Sequence, residues 1–462
     1  MKILLVYPKS KIWNMPTQMP LGLGYLAAVL EKAGYQVKIF DSMVEKSPII
    51  EELNRFKPDL VGISANTPLI KSAWQIASEI KKNLNVFIVL GGPHPTALPE
   101  ESLEKPFIDA VAIGEGEETM LELVQAIKEK ISLKGILGLS YKENRKIIHN
   151  NPRPLIEELD KLPFPAYHLF KVDEYSVTQP LRDKPLKKGR AFYIMTSRGC
   201  PYGCSFCFKG VYGQTWRPRS AENVILEWEF LVKQMNAKEI GVQDDLFNFD
   251  KKRALKICQL LVEKNLNNIP WITNNGIRVN FTDEELLAAM KKAGCKRVAF
   301  GVESGDQKIL DNIHKKITLE MVKKVFAISK KIKIETMGFF MFGNLGEDEE
   351  TMEKTIKFSI ELDPLVAHFS IATPFPGTDF FQIVEKRGKF LTKDWEEYGI
   401  LEGKTVFELG DVKAPLVIKK WHQAYRRFYL RPKRVLKEIF RFNNWLNLPA
   451  LFQAGFQYFV NR

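Results

Sequence analysis

The 462 residues predict an α/β protein: a doubly wound parallel sheet over residues 1–150, a partial, TIM-like barrel of six β-α units over 191–380, and a helical C-terminal region over 381–462. Three observations predict it. Short apolar runs alternate with stretches of helical periodicity through both halves, the pattern of parallel strands joined by crossover helices. A stretch of mixed charge containing Pro152, Pro154, Pro163, Pro165, Pro180 and Pro185 separates the two series and suits a connector over 151–190. Beyond about residue 374 the strand-like runs give way to basic amphipathic helices. At 45% hydrophobic residues the chain can fill cores of this size.

In the first half the strand candidates are Ile3–Val6, Val37–Phe40, Leu60–Ser64, Val86–Leu90 and Ala110–Ile113, with helices at Leu21–Ala33, Leu69–Asn83 and Glu117–Lys130. Ligands of open parallel sheets bind at the carboxyl ends of the strands. Those ends carry Ser64-Ala65-Asn66-Thr67, Gly91-Gly92-Pro93-His94 and Gly114-Glu115-Gly116-Glu117. Glycine there lets backbone approach a ligand closely, although plain strand-to-helix turns use it too.

In the second half the strand candidates are Phe192–Met195, Lys238–Gln243, Pro270–Thr273, Arg297–Val302, Thr336–Phe342 and Ala367–Ile371, each followed by helical periodicity. Barrels of such units place their sites at the carboxyl ends of the strands. Asp244 and Asp245, then Asn274, Asn275 and Arg278, then Glu303 and Ser304, then Gly343 to Glu347 collect at those ends. Carboxylates and a guanidinium suit a zwitterionic ligand. Cys258 and Cys295 sit among apolar neighbours and read as buried structural thiols.

Three of the five cysteines, Cys200, Cys204 and Cys207, fall in the run TSRGCPYGCSFCFKG, Thr196–Gly210. Pro201, Gly203 and Gly210 favour a tight loop in which the sulfurs converge on a metal. Structural zinc wants four ligands, and no fourth cysteine or histidine is near in sequence. A 4Fe-4S cluster on three thiolates leaves one iron open for a ligand. The run, including the aromatic Phe206 before the third cysteine, resembles the signature loop of the radical S-adenosylmethionine (SAM) superfamily. That resemblance implies a 4Fe-4S cluster on the three cysteines whose open iron chelates SAM. Its electron cleaves SAM to methionine and a 5′-deoxyadenosyl radical. Asp244, Asp245 and the run Gly301-Val302-Glu303-Ser304-Gly305 match that family's SAM-contact positions, with Arg278 the guanidinium available to the SAM carboxylate.

A Rossmann-like domain bearing GGPHPT and IGEGE ahead of such a loop resembles the cobalamin-binding (vitamin B12) domain of the cobalamin-dependent class. The resemblance implies corrinoid contacts at Ser64, Asn66, Gly91, Gly92, His94, Gly114 and Glu115. The sequence lacks the D-x-H-x-x-G motif that supplies a histidine to cobalt, so the lower axial position stays open: His94 as a cobalt ligand is one reading, with contact to the corrin amides or a satisfied loop histidine favoured over it. Methylthiotransferases also join an α/β domain to a radical loop, but they hold a second cluster on N-terminal cysteines, and residues 1–199 contain none.

The resemblance implies a methyltransferase acting on an unactivated carbon, with non-methylating cyclase, oxidase or ring-rearranging chemistry as the alternative; a cluster-containing sensor or nucleic-acid-binding module is a third reading, suggested only by the charge. An electron donor such as flavodoxin or ferredoxin is implied as partner. The net charge of +13 lies largely in the tail, and no basic run interleaved with aromatics occurs elsewhere, which disfavours nucleic acid. Ile418, Trp421, Tyr425, Phe428 and Tyr429 share one helical face and predict packing on the barrel. The same region, with Trp421, Phe428, Trp445, Phe452, Phe456, Phe459 and the nearly uncharged 446–460, also suits peripheral docking on anionic lipid and delivery of a hydrophobic or lipid substrate. The N-terminal MKILLVYP reads as a strand rather than a signal peptide, and no apolar run of spanning length occurs, so the expected location is the cytoplasm.

Overall fold

A computed structural model describes residues 1–9, 18–175 and 190–439. The first sheet contains β1 (Lys2–Tyr7), β2 (Gln36–Asp41), β3 (Leu60–Ser64), β4 (Phe87–Gly91), β5 (Ala110–Ala112), β6 (Leu139–Glu143) and β7 (Lys146–His149), in the order β2-β1-β3-β4-β5-β6-β7. β1 to β5 are parallel, their Val-, Ile- and Leu-rich centres buried on both faces by flanking helices. The chain reverses direction across the sheet between β1 and β3, which opens a crevice at their carboxyl ends.

The antiparallel β6 and β7 are absent from the sequence expectation. Their turn runs through Asn144 and Arg145, at φ 50° and 64°. Two consecutive left-handed residues are the geometry of a two-residue hairpin, and asparagine favours it.

The second sheet holds β8 (Ala191–Ile194), β11 (Glu239–Val242), β12 (Trp271–Thr273), β13 (Cys295–Glu303), β14 (Glu335–Phe342) and β15 (Val366–Ile371). A short antiparallel pair, β9 (Ser197–Arg198) with β10 (Arg217–Pro218), stands apart from it. All six strands are parallel, in the order β15-β14-β13-β12-β11-β8, an open six-unit barrel as expected. Near the amino ends of β13 and β14 Arg297 pairs with Glu335 at 2.9 Å, and further along the strands Ala299, Met337 and Val366 form a small apolar cluster. The carboxyl ends of both sheets line one cavity.

The proline-rich connector carries more than a link. Tyr167, Phe170 and Tyr175 from it are buried in the barrel's core, Tyr167 Oη donating to the Tyr193 carbonyl and Glu227 Oε1 at 2.7 Å each. Their aromatic bulk, not the prolines, decides where the segment packs.

The tail helix Ala414–Tyr429 packs on the open edge of the barrel at β15. Trp421 Nε1 donates to the Phe369 carbonyl at 2.8 Å, and Tyr429 Oη donates to the Ala367 carbonyl at 2.9 Å while accepting from its N–H. An edge strand's free backbone groups are thereby capped. Trp421 and Phe428, expected on a lipid-docking surface, are buried, and the basic face is engaged: Arg427 pairs with Glu353 at 2.7 Å and Arg431 with Asp363 at 2.5 Å. This corrects the docking expectation for those residues. Trp445, Phe452, Phe456, Phe459 and the stretch 446–460 lie outside the described residues. Among the described residues no helix is long and apolar enough to cross a membrane.

Candidate active site

The cysteine loop leaves β8 and is pinned on several sides. The buried Asp244 carboxylate accepts from the Thr196 N–H at 2.6 Å, Thr196 Oγ1 at 2.5 Å and Ser197 Oγ at 2.7 Å. The Ser205 N–H donates to the Ile313 carbonyl at 3.2 Å, and its carbonyl accepts from the Phe380 N–H at 2.9 Å. Cys200, Cys204 and Cys207 then line a cavity of about 940 Å³, all as free thiols. Cys207, exposed by its surface area, is one of the lining residues. A hydrogen bond from Cys207, assisted by the Lys315 and Arg278 charges, lowers Cys204 to about 6; the same bond, with burial, raises Cys207. Among the described residues no three His, Cys, Asp or Glu side chains converge as a mononuclear metal requires. A cuboidal cluster spreads its thiolates over separate irons and fits a loop of this kind.

The barrel contributes its polar groups from the β11–β13 side. Asp245, Asn274, Asn275, Arg278, Glu303 and Lys315 all line the cavity. Burial pushes Asp245 up to about 6, with the Asp244 charge adding to the shift. The Arg278 guanidinium lies 3.6 Å from the Tyr202 ring centroid and donates to the Lys315 carbonyl. Glu303 sits at φ 64°, left-handed for a non-glycine residue at the end of a strand. Its Oε1 accepts from Lys315 Nζ at 2.6 Å, and a Cβ on Gly301 would come within 2.6 Å of both atoms. A side chain at position 301 would therefore displace the ends of both partners from this arrangement. Asp244 and Ser304 do not line the cavity: Asp244 is spent on the loop, and Ser304 Oγ bonds Thr355 Oγ1 at 3.2 Å. Phe206 lines it beside the cysteines, 6.0 Å from Lys315 Nζ.

Across the cavity the first domain presents Ser64, Gly91, Gly92, Gly114 and Glu115. Gly92 adopts φ 97°, and a Cβ there would lie 2.8 Å from the Ala65 carbonyl oxygen, so only glycine fits. The Glu115 carboxylate is engaged away from a ligand, accepting from Arg198 Nη1 at 2.7 Å, Arg217 Nη1 at 2.8 Å and the Ile156 N–H at 2.8 Å. His94 lies outside the lining, buried with Nδ1 3.2 Å from Thr67 Oγ1 and Nε2 3.2 Å from Glu101 Oε2. Both of its ring nitrogens thus have partners within the first domain. Asn66 also stands outside the lining, capping the turn Thr67–Leu69, and its buried Oδ1 has no partner among the described residues.

Residues 17–124 match the B12 binding domain, and residues 194–359 match the radical SAM superfamily. The chain is 40% identical to an uncharacterized methyltransferase, PH0819, of Pyrococcus horikoshii over 98% of this chain and 97% of that one. It is 30% identical to the anaerobic magnesium-protoporphyrin IX monomethyl ester cyclase of Rubrivivax gelatinosus over 93% of this chain and 78% of that one. The radical SAM methyltransferase TsrM of Kitasatospora setae shares its fold, with a TM-score of 0.69 and 23% identity over 83% of this chain and 78% of that chain. The chain belongs to the cobalamin-dependent radical SAM enzymes.

A radical SAM enzyme of this class uses a 4Fe-4S cluster, SAM and cobalamin, and the cavity offers a donor set for each: three thiols on a pinned loop, a polar barrel half, and a glycine-lined crevice wall. Lys315 and His368 are among the lining residues that escaped the sequence reading. Lys315 looks like any surface lysine in the run HKK, and only its fold-dependent pairing with Glu303 brings it inside. His368 was legible in principle, since alternation along Val366–Ile371 sets His368 and Ser370 on one face and Ala367 and Phe369 on the other.

Proposed function

We propose that this enzyme transfers a methyl group to an unactivated carbon of a small molecule. The observation that carries the reading is the single cavity joining the cysteine loop to the glycine-lined crevice, which lets a radical source and a methyl carrier serve one substrate. Near-complete coverage by a relative named as a methyltransferase supports it. When bound, the cluster supplies the electron that cleaves SAM, and the corrinoid supplies a transferable methyl group.

In this reading Cys200, Cys204 and Cys207 hold the cluster. Asp245, Asn274, Asn275 and Arg278 bind the amine, hydroxyl and carboxylate groups of SAM. Glu303 is already committed to Lys315, so the pair orients SAM as a unit. Ser64, Gly91, Gly92 and Gly114 admit the corrinoid face by removing side-chain bulk, with Glu115 fixing the loop rather than touching the ligand. His94 supplies no ligand to cobalt. A low-potential protein such as flavodoxin or ferredoxin delivers the electron.

The 30% identity to a cyclase favours one second reading, in which the radical closes a ring and no methyl group moves. Methyl-labelled SAM separates the two with anaerobically reconstituted enzyme. Label in the product is the expected result, and label recovered only in methionine or unreacted SAM would establish the second reading.

A further inference from the structure

The cavity is chemically divided. Its charged side chains sit on the β11–β13 side (Asp245, Arg278, Glu303 and Lys315), on the cysteine loop (Lys209) or on the facing domain, where Glu115 and Glu117 are tied to arginine. The β14–β15 side carries none among the described residues. There Phe339, Met341, Ile371, Phe375 and Leu401 present apolar surface, and the polar side chains are His368, Ser370 and Thr373, the last bonded to the Gly399 carbonyl at 2.9 Å. Strand register stacks them, with Phe339 beside His368 one step deeper than Met341 beside Ser370. The Phe339 and His368 rings lie 5.9 Å apart. Burial, reinforced by the Arg297 charge, lowers His368 to about 4, so the imidazole is neutral near pH 7. An ionised group placed there would lose hydration, and the nearby Arg297 is already paired with Glu335 at 2.9 Å, whereas an apolar body would gain from leaving water.

We propose that the β14–β15 half of the cavity is the substrate subsite and that it selects an uncharged, largely apolar molecule, oriented by a hydroxyl group that donates to Ser370 Oγ, whose own hydrogen is held by the Phe340 carbonyl. This rests on the reading of the cavity as the radical SAM site, with SAM on the charged half, and adds the class of substrate to it. Charge is the selected property. An anionic substrate, such as a phosphorylated one, is excluded from this half of the cavity.

The test compares two probes of one skeleton that differ in charge, 1-naphthol and 1-naphthyl phosphate, by equilibrium dialysis against holoenzyme loaded with cluster and cobalamin. The expected result is saturable binding of 1-naphthol at one site per chain, at least about tenfold tighter than the phosphate. Met341→Glu and Ser370→Asp, each putting a carboxylate into the subsite, are expected to weaken 1-naphthol at least about tenfold while cluster absorbance and cobalamin content stay unchanged. Equal or tighter binding of the phosphate, no saturable binding of either probe, or 1-naphthol affinity untouched in both variants would overturn the proposal. If one variant fails to load its cofactors, the other variant and the probe pair on the unaltered enzyme still decide. No arm requires turnover, so failure here leaves methyl transfer standing, and failure of the labelled-SAM experiment leaves the subsite's charge preference measurable.

Discussion

Replacing Cys200, Cys204 or Cys207 by alanine leaves two anchors for the cluster, so each variant is expected to lose iron, the cluster's visible absorbance and SAM cleavage. Cys258 and Cys295 lie in the barrel core, and burial alone pushes the Cys258 thiol up to about 12, the environment of an inert thiol. Alanine at either should keep iron content and cleavage within about twofold, at a stability cost near 1–2 kcal/mol for the lost packing. Iron lost from either variant would show a misassigned ligand. Glu347 offers a second test at this scale. Its Oε2 accepts from the Gly343 and Asn344 N–H groups at 2.7 and 2.9 Å, Oε1 is buried without a partner among the described residues, and burial pushes the carboxyl up to about 8. The folded protein thus keeps a proton that the unfolded chain releases near pH 4.5, so the unfolded state binds fewer protons and stability falls as pH rises. The contribution is fully present below about 4.5 and lost as pH climbs through about 8. Glu347→Gln removes that proton exchange. Urea midpoints measured from pH 5 to 8 should show the variant gaining on the parent as pH rises, on the order of 3 kcal/mol across the window. A gap that stays flat would mean that the carboxylate is already ionised in the fold.

Among the elements, the parallel strands were legible because each is buried on both faces and so reads as an unbroken apolar run, as in Ile3–Val6 and Thr336–Phe342. The β6-β7 hairpin was not, because Lys142, Glu143 and Lys146 make it polar and its turn is announced only by Asn144. Pairing across the fold was invisible for the same reason everywhere: nothing local marks Lys315 as the partner of Glu303, or Arg198 as that of Glu115. Asp244 matched a ligand-contact position, yet it serves the loop. The tail helix was read correctly as packing, since its aromatic stripe has the helical period, but the stripe could not reveal that Trp421 and Tyr429 cap β15. Trp421→Phe keeps most of the packing and deletes one hydrogen bond, an expected cost of about 1 kcal/mol. Trp421→Ala also opens a cavity, an expected 3–5 kcal/mol. Chemical denaturation checks both. Neither change should alter sedimentation with anionic vesicles, because the side chain is covered; a loss of vesicle binding in Trp421→Phe would return this face to the membrane.

At the scale of the whole molecule, reaction in one cavity requires the two sheets to keep a fixed separation, and the contacts that set it are charged and buried. Arg198, two residues before Cys200, reaches across to Glu115 Oε1 at 2.7 Å and Glu117 Oε1 at 2.6 Å, while Arg217 on the paired strand β10 holds Glu115 Oε2 at 2.8 Å. Tyr25 and Tyr212 sandwich the Arg198 guanidinium at 5.0 and 5.4 Å. The Glu115 carboxylate also accepts the Ile156 N–H, so the connector joins the same knot. One guanidinium thereby ties the cysteine loop to the glycine loop Gly114–Gly116, part of the wall proposed to face the corrinoid. Lysine in its place keeps the charge but cannot bridge both carboxylates, since it lacks the planar fork. Arg198→Lys should therefore leave iron content within about twofold, because Asp244 still holds the loop, but weaken cobalamin binding at least about tenfold as the glycine loop loses its support. Arg198→Gln leaves two buried carboxylates facing an uncharged amide and should cost about 3–5 kcal/mol of stability. Glu117→Gln restores a neutral match to that amide, so the double variant should recover part of the loss, a coupling that a double-mutant cycle measures. Cobalamin affinity unchanged in Arg198→Lys, with stability reduced, would mean that the two sheets are held together by packing and that this knot does not govern the corrinoid wall.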